Sequence, residues 1–409
     1  MGLKTKYQYT YFIYPFVVKE NKYSKYILKM LKNKEVSLKI FEKETDLKIY
    51  QYFLPKVSDF MFSSFSFTKN KIKKLEELPE DTKAALLSEY PCVVFDYNLK
   101  KDPQGKVQEN SIFFKIPKME IICFNTGICF LVMKTNIDGK YEFGDVLNFN
   151  YKFKNIPKGD MTLGGNNIHL QTDVFSDMSR LNEFISNITG SKVETLKLDI
   201  DTQRFLTYSY ICIDKGSWGE QSNFENIEQN YIKFSEFQRF DNIKMLNKDE
   251  NSSIEKWKYA KISVNKDGVS LFASDEDMNN YTILPHDFEG VYLYTYILNL
   301  YKKIYLKKIE KEFRKGAHLK KACKKFIEFT KKLWVQEVTD DEVGTWINQK
   351  LMKVLEIDRL YSEIKNQYDV LYKNMKIELN FKIMLGLIIL LICTISMQIF
   401  SFIKYFKYY

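Results

Sequence analysis

The chain has 409 residues, a formal net charge of +10, 45% hydrophobic residues and a mean hydropathy of −0.33. That length supports one large domain or two. Three histidines and six scattered cysteines without a CxxC pair exclude the usual zinc and disulfide frameworks. No Walker, GxGxxG, GxSxG or HExxH signature is present, so no catalytic role, metal or cofactor is expected.

The positive balance would suit an anionic partner such as lipid headgroups, a nucleotide or nucleic acid. A lysine-, isoleucine- and tyrosine-rich composition also accompanies an AT-rich genome. The opening MGLKTKYQYTYF lacks the long apolar run and cleavage site of a signal peptide. Lys6 stands where a myristoylation signal carries Ser or Thr. Cys92, Cys123, Cys129, Cys212, Cys323 and Cys393 then read as reduced cysteines of a cytosolic protein.

In chain order, Tyr9 to Val18 is aromatic and β-branched, as strands are, and Asn21 to Asn33 has apolar residues at helical spacing. Glu35 to Phe41 returns to strand character. Ser111 to Ile116 and Glu120 to Met133 are apolar runs, the second broken by Asn125-Thr126-Gly127 as a hairpin would be. Asp173 to Thr189 predicts an amphipathic helix stopped by Gly190. Strands are expected at Arg204 to Asp214, Tyr259 to Val264 and Val269 to Phe272, the last pair turned by Asn265-Lys266-Asp267-Gly268. Gly164-Gly165-Asn166-Asn167 reads as a turn. Asp199 and Asp201 would be solvated or, as the alternative, bind a metal. His169, His286 and His318 have no local partner to build a triad.

From Phe288 the pattern changes to long helices. Val291 to Phe313 has no Gly or Pro, and a second helix is expected from Ala317 to Trp334. Thr339, with Glu342 three residues on, predicts a capping box for a third helix through Glu356. The next helix carries Leu360, Ile364, Tyr368, Leu371 and Met375 on one face, suited to a copy of itself or a neighbouring helix. It runs without a breaker into Ile383 to Ile403, 21 residues without a charge. At 1.5 Å per residue this matches a hydrocarbon core of about 30 Å. Lys382 and Lys404 bracket it, with Phe381, Phe400, Phe402, Tyr405 and Phe406 where interfacial aromatics belong. A transmembrane helix is therefore expected, the competing reading being a buried core helix.

Two features bear on what such a protein does. The first is a basic collar of Lys307, Lys308, Lys311, Arg314, Lys315, Lys320, Lys321, Lys324 and Lys325, opposed locally by little acid. It is either a solvated helix face or a positive surface near anionic lipid or a pore mouth. The second is an arc of Asn380, Thr394, Gln398 and Ser401, which at 100° per residue falls within roughly 60°. These are candidate pore-lining residues, because lipid cannot satisfy polar side chains. Equally, Thr and Ser can bond to their own helix backbone.

The succession of α/β body, long helices and a helix entering the membrane resembles the CorA-type magnesium channel superfamily. More local similarity lies in YLYTYILNLYKKIYLKKIEKE (Tyr292 to Glu312) and in Lys331 to Leu371, with Trp334 and the Val338-Thr339 step before a new helix. CFNTGICFLVMKTNI and LNFNYKFKNI are similar to divergent CorA-like proteins of Gram-positive bacteria, some linked to type III CRISPR systems. Ser396-Met397-Gln398 replaces the Gly-Met-Asn signature of magnesium channels, and 11 residues follow it, so neither a second span nor magnesium transport is expected.

The patterning predicts an α+β or α/β soluble domain over residues 1–287, a helical stalk over 288–380 and a transmembrane helix with a short tail over 381–409. The resemblance further implies a homo-oligomeric effector in the cell membrane, its N-terminal domain cytoplasmic. That domain would answer a small nucleotide second messenger in antiviral defence, without contacting nucleic acid directly, and the spans would form a pore or disturb the bilayer. The alternative is a membrane-tethered binding or scaffold protein without conduction. Lys373, Lys376 and Lys382 against Lys404 and Lys407 leave the orientation rule undecided.

Overall fold

The computed structural model describes residues 3–407 apart from 43, 45, 63–74, 76, 99–103, 108–111, 138–141, 156–167, 173–174, 190–203, 221–223, 240–252, 317–318 and 336. The strands are β1 (Thr5–Val17), β2 (Val36–Leu38), β3 (Cys92–Tyr97), β4 (Gln104–Val107), β5 (Ile112–Phe124), β6 (Ile128–Ile137), β7 (Ile168–Thr172), β8 (Phe175–Arg180), β9 (Leu206–Ile213), β10 (Ser253–Trp257), β11 (Ala260–Asn265) and β12 (Gly268–Ser274). The helices are α1 (Tyr23–Lys32), α2 (Leu47–Tyr52), α3 (Pro55–Phe62), α4 (Glu80–Glu89), α5 (Phe143–Asn155), α6 (Leu181–Thr189), α7 (Lys215–Glu220), α8 (Phe224–Ser235), α9 (Asn279–Thr282), α10 (Leu284–Asp287), α11 (Leu293–Lys315), α12 (Leu319–Lys332), α13 (Glu342–Val354) and α14 (Ile357–Lys407).

Among the described residues the strands form one mixed sheet in the order β10-β11-β12-β9-β1-β6-β5-β4-β7-β8, with β3 joined to β5 and β2 to β3. All the pairings are antiparallel except β12 with β9. Strand side chains alternate between faces, and here both faces are apolar, so both must be covered. Tyr9, Tyr11 and Ile13 of β1 face a layer built from α2, α3, α11, α12, α13 and the start of α14. Phe12 and Phe16 face a layer that includes α1, α4, α5 and α6. The result is a three-layer sandwich.

Register is fixed in the sheet centre by small hydroxyl residues. Thr135, Thr10, Ser209, Ser270 and Ser263 lie directly opposite one another across five neighbouring strands, all buried. Thr10 and Ser209 share a hydrogen bond of 2.7 Å, and Asn150 of α5 joins them at 2.9 and 3.1 Å. A slip of one residue would turn this row to the other face and strand Asn150 among apolar groups.

Most expected elements form where the sequence places them, including the β5–β6 hairpin. Gly127 there has φ +82°, and a Cβ would lie 2.1 Å from the Val18 carbonyl oxygen. Two expectations are corrected. Residues 175–180 form strand β8, paired with β7, and only Leu181–Thr189 is helical. The cap of α13 is Asp341, whose carboxylate accepts from the Gly344 N–H at 2.7 Å, while Thr339 accepts from the Asp341 N–H. The turn expected at 164–167, Asp199, Asp201, Gly190 and His318 lie outside the described residues.

The boundary expected at 287/288 does not separate two cores. The chain from Leu293 to Leu306 is buried at nearly every position, because aliphatic and aromatic side chains occupy most of its circumference and it lies between sheet and outer helices. Phe288 stacks on Tyr208 at 4.1 Å and Tyr301 on Phe124 at 3.8 Å. The helices expected to form a stalk thus belong to the body as far as about Ile364 of α14.

At Gly268 a Cβ would come within 1.7 Å of the Thr207 carbonyl oxygen on the adjacent parallel strand. Gly268→Ala is expected to destabilise the protein by about 2 kcal/mol or more, since backbone must move to admit the methyl group. Thermal melting of the detergent-solubilised chain measures this; an unchanged midpoint would contradict the close approach of β9 and β12.

Candidate functional site

Helix α14 is 51 residues long, about 76 Å of continuous helix. Leu360 and Ile364 at its base are buried in the body. Asn380–Lys404 is long and apolar enough to cross a membrane, with a mean hydropathy of 2.5 over its most apolar 18 residues and none of these buried. Leu390 is 63% exposed and Phe400 70%, the reverse of a soluble core helix. Asn380, Thr394, Gln398 and Ser401 are exposed along it. Thr394 donates to the Leu391 carbonyl and Ser396 to the Ile392 carbonyl, both at 2.8 Å, so these hydroxyls are satisfied within their own helix.

The base of this rod is gripped by aromatic rings. Trp334 stacks on Tyr361 at 3.6 Å, and Phe326 of α12 meets both Tyr361 and Tyr368 at 5.4 and 5.5 Å. The face of α14 expected to meet a copy or a neighbour therefore packs, at Leu360, Ile364 and Tyr368, against this chain's own helices.

Some collar residues are paired with acids, some are exposed at the helix turn, and Arg314 and Lys321 are both. Lys308, Lys325 and Lys321 converge on Glu20 at 2.9, 2.7 and 3.5 Å, and Lys325 also meets Glu312 at 2.7 Å. Burial opposes charge on Glu20, but hydrogen bonds from Lys325 and Lys308 outweigh it and hold the carboxyl at about 2. Lys307 and Arg314 pair with Glu310. Lys311, Arg314, Lys315, Lys320, Lys321 and Lys324 present exposed side chains at the α11–α12 turn.

A charged network not anticipated from the sequence lies between the sheet and the start of α11. Glu289 sits in a single π-helical turn, Phe288–Tyr292, a distortion found often at functional sites. It accepts from the Tyr11 hydroxyl at 2.6 Å and from Lys134 at 2.7 Å. Next to it Glu120, only 1% exposed, is bound by Lys39 and lies 3.3 Å from Lys118. Burial disfavours the Glu120 carboxylate, yet the two ammonium groups keep its pKa below the ordinary value. Asp96, its register partner on β3, is pushed upward by burial and by Glu120 itself. The Glu120 Oε2 atom has no hydrogen-bond partner. One signal was available in the sequence: Glu120 is a lone acid opening the apolar run IICF.

A second basic feature is a small, open cleft lined by Lys56, Lys302, Lys332 and apolar side chains of α3, α11 and the α12 end. Lys302 is 1% exposed and donates to the Val335 carbonyl at 3.2 Å. Burial drives its amine down to about 8, partly offset by the Asp358 charge. Among the described residues no group of three or more His, Cys, Asp or Glu is arranged to hold a metal ion. Comparison with family models, with characterised proteins and with solved structures finds no match to this chain.

An amine depressed by folding opposes folding fully below its folded pKa and ceases to do so above the unfolded one. Wild-type stability should therefore rise between about pH 8 and pH 10.5 through Lys302. Lys302→Met removes that term. Its stability advantage over wild type is expected to narrow by about 2 kcal/mol between pH 7.5 and 9.5. Parallel melting curves at the two pH values would contradict a buried, unpaired ammonium group.

Proposed function

We propose that this chain is one subunit of a homo-oligomeric membrane effector, in which the sheet-based body binds a small anionic ligand and α14 carries the change into a bilayer. One observation supports this above the rest: a single uninterrupted helix is clamped in the body core at Leu360 and Ile364 and emerges as an unburied apolar rod. A rigid helix passes tilt or rotation at its base to its far end, which a flexible tether cannot do. The body would lie in the cytoplasm of a single-pass protein of the cell membrane.

A nucleotide second messenger suits the lysine-rich surfaces, and the CorA-like sequence pattern suits a ring of subunits whose spans enclose a pore. Asn380, Thr394, Gln398 and Ser401 would line that pore, because their shared arc gives polar groups a water-facing side. Antiviral defence of the type III CRISPR kind is the setting this pattern suggests. No catalytic step is part of the proposal.

The second reading is a membrane-tethered binding protein without conduction. The Thr394 and Ser396 hydroxyls favour it, since their bonds within the helix leave no need of a water-filled path.

Native mass measurement of the detergent-solubilised chain separates the two. The effector predicts a discrete oligomer of four or more subunits, together with ion flux in liposomes that Thr394→Leu with Gln398→Leu reduces at least tenfold. A monomer or dimer could not enclose a pore with one span per chain and would establish the tether.

A further inference from the structure

We infer that the α11–α12 turn is a docking surface for an anionic lipid leaflet, seating the body on the membrane that α14 enters. This rests on the reading of α14 as a bilayer span and adds a second, electrostatic contact to it.

Direction comes first. Trp334, just beyond α12, stacks on Tyr361; Phe329 is 6.4 Å from the same ring; Phe326 reaches forward to Tyr368. Moving back along α12 therefore moves forward along α14, so the two helices are antiparallel. The start of α12 and the end of α11 point toward the apolar stretch.

Height follows from helix geometry. Phe326 lies level with the middle of the interval between Tyr361 and Tyr368, so Leu319 lies about level with Leu371. From there to Ile383, where the uncharged run begins, is about 18 Å of helix. The headgroup layer occupies about 5–7 Å of that distance, leaving about 11–13 Å between the start of α12 and the outer edge of that layer. This is about one and a half Debye lengths at physiological salt, about 8 Å each, and the lysine side chains reach across part of it. A tilt of α14 toward the α11–α12 side brings the turn closer.

Charge supplies the affinity. Between Lys311 and Lys325 the chain carries seven Lys or Arg residues against one carboxylate, Glu312. Arg314 and Lys321 have 65% of their side-chain surface exposed, although each also faces an acid, Glu310 for Arg314 and Glu20 at 3.5 Å for Lys321. At this distance cations are attracted to an anionic leaflet, and several of them add. Rigidity directs them: Glu20 ties α11 to α12 through Lys308 and Lys325, so the turn cannot fold back from the membrane. Gly316, in the left-handed conformation at φ +67°, ends α11 at its apex.

Lysine acylation of the full chain in nanodiscs tests this directly. Discs of phosphatidylcholine alone are compared with discs containing 30% phosphatidylglycerol, using a small amine-reactive ester and mass spectrometry. Lys315, Lys320, Lys321 and Lys324 are expected to react at least threefold more slowly in the anionic discs, and 0.5 M salt should remove the difference. Lys353, exposed near the end of α13 beside the base of α14, which is about 39 Å of helix from Ile383, serves as the unchanged reference. A quadruple Glu variant of the four turn lysines should lose lipid-dependent protection of Lys311, with an unchanged melting midpoint as the folding control. Equal rates in the two discs overturn the docking surface while leaving the span intact. A chain that enters neither disc overturns the span as well.

Discussion

Everything distinctive about this molecule depends on α11 being buried against the sheet. Aliphatic and aromatic side chains occupy most of the circumference of its first turns, so these must be covered on nearly every side, by strands beneath and by α13 and α14 above. The Phe124–Tyr301 and Tyr208–Phe288 stacks hold it to β5 and β9. Asn299 reaches Asn348 of α13 at 2.9 Å, so the outer helices are keyed to it by a polar contact as well as by apolar packing. The course of α14 follows, because Leu360 and Ile364 pack into the same core. A long helix leaving a body at a fixed angle needs such a base.

The charged network at the π-helical turn lies at the same seam. Glu289 binds Tyr11 of β1 and Lys134 of β6, while Lys39 reaches both Glu120 and the Tyr294 hydroxyl of α11. Buried ion pairs of this kind add little net stability, because desolvation offsets their attraction, but breaking one partner leaves an unpaired charge. They therefore fix how the start of α11 sits on the sheet. A ligand that competed for one of these lysines would act on the element that carries α14, which is the coupling that the proposed function requires.

Much of the fold was legible because periodicity reports burial. The aromatic run of β1, the Asn-Thr-Gly hairpin and the unbroken final helix follow from side-chain alternation, turn chemistry and helix length. Phe175–Arg180 was not legible: FSDMSR has no strand-like alternation, and its pairing with β7 is a tertiary contact. The division at residue 287 marks a change from strands to helices, yet the apolar faces on either side require each other, and composition does not reveal which faces meet. The Lys39–Glu120–Lys118 and Tyr11–Glu289–Lys134 groups unite residues up to 278 positions apart, so only the register of the sheet assembles them. The collar was visible as charge, but its pairing with Glu20, a residue 288 or more positions earlier, came only with the fold.

The central claim is that Asn380–Lys404 lies within a bilayer, and the chain carries a native probe for it. Cys393 stands exposed in the middle of that segment, whereas Cys92, Cys123, Cys129, Cys212 and Cys323 are buried in the body. A charged, membrane-impermeant maleimide applied to broken native membranes, so that both faces are reached, reads its surroundings. The account predicts no labelling of Cys393 in membranes and full labelling once detergent and denaturant remove the lipid. Rapid labelling in intact bilayers, at the rate seen in free solution, would place the segment in water and contradict it.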